Sequence, residues 1–313
     1  MVPQTNPQKA DSRADEIDTH RLARFFGTLG VLGLGIVVVA QLAAIRLVAI
    51  APLYMFTPAV AAGVTLFTTD VSLREVGFRI GRVRWHLIAV VTVLALIAVA
   101  LGVAIAVPGV GFDATADPTP GLQLPSGALG VAALLALTVG TGVTINALFA
   151  LGEEIGWRGY LLWELAPLGF WRASGLIGAV WGLWHAPIIL DGYNYPSFPF
   201  VGVVAMTAAM VAFSPLYTYV VVRARSVLAA GFFHGVFNAA AGSLLAYAVT
   251  PDPVRRELVA TPVGVAGIAA FALVVVVLRV RGAPSVDRAT LWDVRGVDTD
   301  ASAKNSDADP SGE

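Results

Sequence analysis

The sequence has no cysteine, which excludes disulfides, thiolate nucleophiles and thiolate metal sites. Charge is scarce. Asp, Glu, Lys and Arg make up 13% of 313 residues, against roughly 25% in a soluble domain. Lysine is almost missing, with only Lys9 and Lys304, so arginine carries the basic charge. A formal net charge of −1 gives no electrostatic reason to bind nucleic acid. There is no HExxH zinc-protease helix and no internal repeat. What remains is 57% hydrophobic with a mean hydropathy of +0.77, the composition of an integral membrane protein.

Apolar runs close to the twenty residues that span a bilayer follow one another near 24–45, 48–67, 86–107, 128–152, 173–190, 199–222, 226–249 and 261–280. The expected fold is therefore all-α, a polytopic bundle of about eight transmembrane helices around a buried polar site. Arg46 alone separates the first two runs, which predicts a tight helical hairpin. The fourth run continues amphipathically through Trp163 before Pro167 and Gly169 stop it.

The expected organisation is a disordered cytoplasmic N-terminus over 1–20, too hydrophilic for a secretory signal. An eight-helix domain over 21–282 and a disordered acidic cytoplasmic tail over 283–313 follow. With the N-terminus inside, all of the 20 Lys and Arg except Arg46, Arg255 and Arg256 fall on the inner side. That asymmetry satisfies the positive-inside rule and predicts a multi-pass protein of a prokaryotic plasma membrane with both termini cytoplasmic.

Ionisable groups inside such helices are costly, by something like 2.5–3.5 kcal/mol each on insertion scales, and by default functional. Residues 149–165 read FALGEEIGWRGYLLWEL. Glu154 and Arg158, four apart, share a helix face and can pair. Glu153 points about 100° away and has no such neighbour. His185 lies in a later apolar run, one turn after Trp181. His234 lies in another, four residues before Asn238. Gly182, Gly231 and Gly235 beside these histidines let helices approach closely. Each group has a plainer reading alone. Glu154–Arg158 can be a structural ion pair, either histidine a packing group, and His234–Asn238 an interhelical clasp. Trp181 reads as packing that fixes an imidazole, Asn146 as a helix–helix hydrogen bond and Asp191 as a solvated turn. An acid, an arginine, two imidazoles and an amide in a chain with little other intramembrane charge are together the equipment of a hydrolase.

EEIGWR at Glu153–Arg158 resembles an EExxxR motif, Trp181–His185 an FxxxH motif with tryptophan for phenylalanine, and His234–Asn238 an HxxxN motif. In this order the three resemble the CPBP family, the CAAX-processing and bacteriocin-processing (Abi) intramembrane proteases related to type II CAAX prenyl endopeptidases. The resemblance spans residues 128–249. It implies that Glu153 is the general base activating a water that His185 helps to hold. It implies that His234 and Asn238 stabilise the oxyanion, and that Glu154 and Arg158 support the site. Water must reach such a site, so a polar cavity is expected, open to the cytoplasmic side.

Two chemistries stay open. Glu153, His185 and His234 form a candidate ligand set for a divalent metal such as zinc, and the same residues serve a metal-free glutamate mechanism. The expected partners are the lipid bilayer and a membrane-embedded or membrane-anchored peptide or protein, lipidated or not. The alternatives are a non-catalytic immunity or scaffold protein of the same fold and a proton-coupled transporter. Counted from the expected inner ends, Glu153 falls near the surface and His185 about 18 Å deep, so either the fourth helix runs further or the fifth begins later.

Overall fold

The computed structural model describes residues 16–69, 71–289 and 291–292. Eight main helices account for the expected runs, so the chain is an all-α polytopic membrane protein. They are α1 (Thr19–Leu42), α2 (Leu47–Phe67), α3 (Arg84–Ile105), α4 (127–165), α5 (Gly169–Trp184), α6 (Pro199–Ala224), α7 (Val227–Leu244) and α8 (Val265–Arg281). A short helix, Ala186–Leu190, extends α5, and a two-residue antiparallel ladder pairs Gly111 with Val249. Among the described residues, six helical runs are long and apolar enough to cross a membrane. One of them, Gly127–Leu190, takes in α4 and α5, which Gly169 separates at φ 74°.

The α4 helix does not stop where its hydropathy does. At about 1.5 Å per residue, 127–165 extends nearly 60 Å, twice an apolar bilayer core. Two widened turns with π-type bonding, Gly142–Asn146 and Ile155–Leu161, flank the two glutamates, a feature frequent at functional sites. In α2, Pro52 and Pro58 break the run into Leu47–Ile50, Ala51–Met55 and Thr57–Phe67.

Glycine sets the closest helix approaches, as small residues do in membranes. A Cβ on Gly235 would lie 2.3 Å from the Gly142 carbonyl oxygen, and one on Gly182 2.4 Å from the Thr207 Cα. These contacts seat α7 against α4 and α5 against α6, carrying the two intramembrane histidines towards Glu153.

The two ends of the bundle differ. At the arginine-rich end, Arg82 donates its backbone N–H to the Ala224 carbonyl and the Ser226 hydroxyl donates to the Arg79 carbonyl. Glu164, fully buried, gathers this end together. It accepts from Arg21 at 2.7 Å, from Arg288 at 3.0 Å and from the Asp18 backbone N–H at 2.8 Å. Asp18 caps α1, and the Arg21 backbone N–H foremost holds its carboxyl below the usual range. The packed chain thus continues past the expected boundary at 282, with Leu291 and Trp292 buried. A carboxylate on α4 and the groove beside Gly77 give the post-α8 segment partners that its own composition does not reveal. Most of the polar stretches expected to be disordered, 1–15 and 293–313, lies outside the described residues.

Replacing Glu164 by alanine takes the buried carboxylate from Arg21 and Arg288, leaving Arg21 with Asp18 and Arg288 with the Trp163 and residue-164 carbonyls. The expected cost is about 2–4 kcal/mol, with faster tryptic cleavage at Arg21 and Arg288. Thermal unfolding in detergent and timed proteolysis measure both, and an unchanged midpoint would remove Glu164 as the tie.

Candidate active site

Glu153 and Glu154 leave α4 in adjacent directions, and each meets a different set of partners. Glu154 is fully buried. Arg158 Nη1 lies 3.3 Å from its Oε1 and 3.2 Å from its Oε2, which is the pair expected from the four-residue spacing. A second partner comes from α7, where His234 Nδ1 donates to Glu154 Oε1 at 2.8 Å. The carboxylate can only accept here, so it fixes the imidazole's orientation and leaves Nε2 on the far edge of the ring.

Arg158, also fully buried, sits between two aromatic faces, 4.2 Å from the Trp181 ring centre and 4.5 Å from that of Tyr217. The quadrupoles of both rings favour the charge there. Ser214, just before the helix-internal Pro215, accepts from Arg158 at 3.5 Å.

Glu153 is 2% exposed. The sequence leaves it without a local partner; the fold supplies a distant one. Trp181 Nε1 donates to Glu153 Oε2 at 2.6 Å. The same residue accepts, through its backbone carbonyl, a bond from His185 Nδ1 at 2.8 Å. A carbonyl cannot donate, so the Nδ1 proton is fixed and His185 Nε2 is left as an acceptor. The Trp181 ring also stands edge-on to His234, with centroids 5.4 Å apart, and tilts against His185 at 5.9 Å. One indole therefore touches the acid, the arginine and both imidazoles, and the expectation that Trp181 is only packing is too narrow.

Glu153, Trp181, His185, His234 and Asn238 line one cavity of about 370 Å³. Asn238 is exposed into it, whereas Asn146 is not part of the lining. The depth mismatch is resolved by α4 running on to residue 165, which leaves Glu153 well inside the bundle. The cavity's position departs from expectation. It reaches Asn194 in the 191–198 loop, Gly242 late in α7, and Pro262 and Val263 before α8. None of its lining comes from the 68–83, 166–168 or 224–226 connections at the arginine-rich end. Beyond the motif residues, the lining therefore comes from the end opposite the arginines and not from the side on which the opening is expected. Placing Glu153 at an inner helix end, because hydropathy falls there, is the source of the difference.

The 191–198 loop beside the cavity is tied down. Tyr195 donates its hydroxyl to the Val263 carbonyl at 2.7 Å, and Ser197 donates twice to Glu257 at 2.8 Å. Asp191, expected as a solvated turn, accepts through its carbonyl from Arg46 at 2.7 Å and joins the loop to the α1–α2 turn. Burial foremost, then the charge of Glu153, pushes the Tyr193 phenol up. Beside the cavity lies an apolar groove of about 680 Å³ between α1, α2 and α5. The stacked rings of Tyr54 and Trp184, 4.6 Å apart, line both spaces.

Among the described residues, no three His, Cys, Asp or Glu side chains are grouped closely enough to hold a metal ion. Glu153, His185 and His234 all line the cavity, and no chemical step below passes through a metal.

Replacing Trp181 by phenylalanine keeps a ring beside Arg158 and removes the N–H to Glu153 together with part of the indole's volume. A hydrogen bond to a charged group contributes about 1.5–3 kcal/mol. The expected result is a fall in kcat of about tenfold or more with KM little changed and a thermal midpoint lowered by the lost bond. An unaltered kcat would reduce the indole to packing.

Sequence reasoning missed the Glu154–His234 and Trp181–Glu153 bonds and the contribution of α6. A signal for the last was present: Ser214, Pro215 and Tyr217 interrupt an apolar helix within four residues.

Residues 134–240 match the family model described as type II CAAX prenyl endopeptidase Rce1-like, and the matched segment contains all three motifs. No curated protein and no solved structure matches the chain.

Proposed function

From the premise that residues 134–240 carry the Rce1-like, type II CAAX prenyl endopeptidase signature, consistent with a CPBP family protease, we propose that the chain is an intramembrane endopeptidase. It hydrolyses a peptide bond in a membrane-associated peptide or protein. The observation that carries this reading is one cavity lined by Glu153, His185, His234 and Asn238, each donated by a motif of the matched segment.

In the proposed reaction, a water sits between Glu153 and the Nε2 acceptor of His185. Glu153 removes its proton as the oxygen attacks the scissile carbonyl. The carbonyl π electrons move onto oxygen, where the Asn238 amide and a protonated His234 Nε2 donate to the developing charge. Glu154, on the other edge of His234, stabilises the imidazolium. The tetrahedral intermediate then collapses, the C–N bond breaks, and Glu153 returns the proton to the leaving amine. Arg158 takes no part in the bond changes; it balances Glu154 and backs Trp181. The apolar groove behind Tyr54 and Trp184 supports a substrate whose anchor lies in the bilayer, including a lipidated one.

The test is cleavage of membrane-anchored reporter peptides by the purified chain in liposomes, compared with His185→Ala, before and after removal of divalent cations by chelation and dialysis. Cleavage that His185→Ala abolishes supports the protease reading, and its survival after chelation supports the metal-free form. If neither reporter nor membrane proteome shows a product dependent on His185, the protease reading falls and the scaffold reading takes its place.

A further inference from the structure

The end of the bundle on which the cavity opens carries information about what it cleaves. The arginines mark one end. Arg74, Arg79, Arg82 and Arg84 lie around the α2–α3 connection, Arg172 early in α5, Arg223 and Arg225 at the α6–α7 turn, and Arg279, Arg281 and Arg288 at and after the end of α8. The cavity end has Arg46, Arg255 and Arg256, against Asp113, Asp117, Asp191, Asp252 and Glu257. Those three arginines also pair with acids there: Arg46 with Asp191, Arg255 with Asp252 and Arg256 with Glu257. Short loops rich in arginine stay in the cytoplasm because moving them across the membrane is disfavoured. The end that the cavity avoids is thus the cytoplasmic one.

We propose that the Glu153 cavity is reached from the extracytoplasmic side of the membrane. Its substrates are then peptide segments presented on that side, such as the outer juxtamembrane stretch of an anchored protein or an exported peptide lying on the outer leaflet. The substrate clause rests on the protease reading above; the access clause rests on charge and geometry alone. The tied loop supports it. Loop 191–198, which lends Asn194 to the cavity wall, is held to Val263 and Glu257 by side-chain bonds, so this end of the cavity is built from anchored chain. At the other end the way to Glu153 is filled by Glu154, Arg158 and Tyr217, none of them more than 1% exposed.

A chain without cysteine makes the experiment direct. Single substitutions Asn194→Cys at the rim, Gly242→Cys on the cavity wall and Ser72→Cys at the arginine-rich end place one thiol each. A side chain on Gly242 meets no neighbour within 4 Å, and Asn194 and Ser72 are exposed. A membrane-impermeant maleimide is applied to right-side-out and to inverted vesicles. Labelling of positions 194 and 242 in right-side-out vesicles, and of 72 only in inverted ones, is the expected result. The reverse pattern overturns the proposal, as does labelling of 194 without 242, which would mean a rim that leads nowhere. A parallel pair of anchored reporters carries the cleavable segment outside or inside. Outer-only cleavage that Glu153→Gln removes supports the substrate clause. Inner-only cleavage overturns it. Outward labelling with neither reporter cut keeps the access clause and overturns the protease reading.

Discussion

Glu153→Gln is expected to lower kcat/KM by about 10²–10⁴-fold, the contribution of a positioned general base. The change is chosen because it is nearly isosteric. Trp181 Nε1 would still find an acceptor in the glutamine carbonyl at the place where it now meets Oε2. Packing and stability should therefore stay close to those of the parent chain, and the loss should appear in turnover. Glu153→Ala also removes that acceptor and leaves a buried indole N–H unpaired, so its loss of activity mixes chemistry with structure. Glu153→Asp keeps the charge but withdraws it by one methylene from the cavity, and about 1 Å of misplacement costs near 10²-fold. The diagnostic pattern is Gln with a native thermal midpoint and a catalytic defect of at least two orders of magnitude. Activity of the Gln variant within tenfold of the parent would remove Glu153 as the base.

The residues of the candidate site were legible in the sequence because a membrane interior makes polar residues conspicuous. Glu153, Glu154, Arg158, His185 and His234 stand out against helices with almost no other charge, and helical spacing alone pairs Glu154 with Arg158. Depth was not readable. Hydropathy treats a charged residue as the end of a span, but α4 carries Glu153, Glu154, Arg158 and Glu164 through a buried path. Their compensating partners come from elsewhere: His234 on α7, Ser214 on α6, Arg21 on α1 and Arg288 beyond α8. Those pairings span between 56 and 146 residues, counting the Asp18 backbone bond to Glu164, and no local rule reaches that far. The same limit displaced the cavity mouth. Trp181 shows a subtler failure. Its indole N–H was visible, but the acceptor 28 residues away was not, so a donor was read as a ring.

The second large effect is expected at Glu154, and its sign depends on what happens to Arg158. Removing the carboxylate alone, as in Glu154→Ala, leaves a fully buried guanidinium with a 3.5 Å contact to Ser214 and two aromatic faces as its neighbours. Breaking a buried pair in this way costs about 3–5 kcal/mol, and little folded protein should be recovered from membranes. The buried pair itself is weak evidence of stabilisation, because desolvating two charges offsets much of their attraction. A double change to well-packed apolar residues, Glu154→Met with Arg158→Leu, removes both charges together. It is expected to regain most or all of the lost stability. Activity should not return with it. His234 Nδ1 would have lost the acceptor that orients it at 2.8 Å, the imidazolium would have lost its counter-charge, and Trp181 would have lost the cation at its face. A thermally restored but inactive double variant separates the two duties of this pair. It would show that the charges are kept to hold His234 and Trp181 in position, at some expense in folding energy. A double variant that cleaves at the parent rate would mean that Glu154 and Arg158 serve the fold alone. The measurements are detergent thermal midpoints for the three chains and initial rates on one anchored peptide.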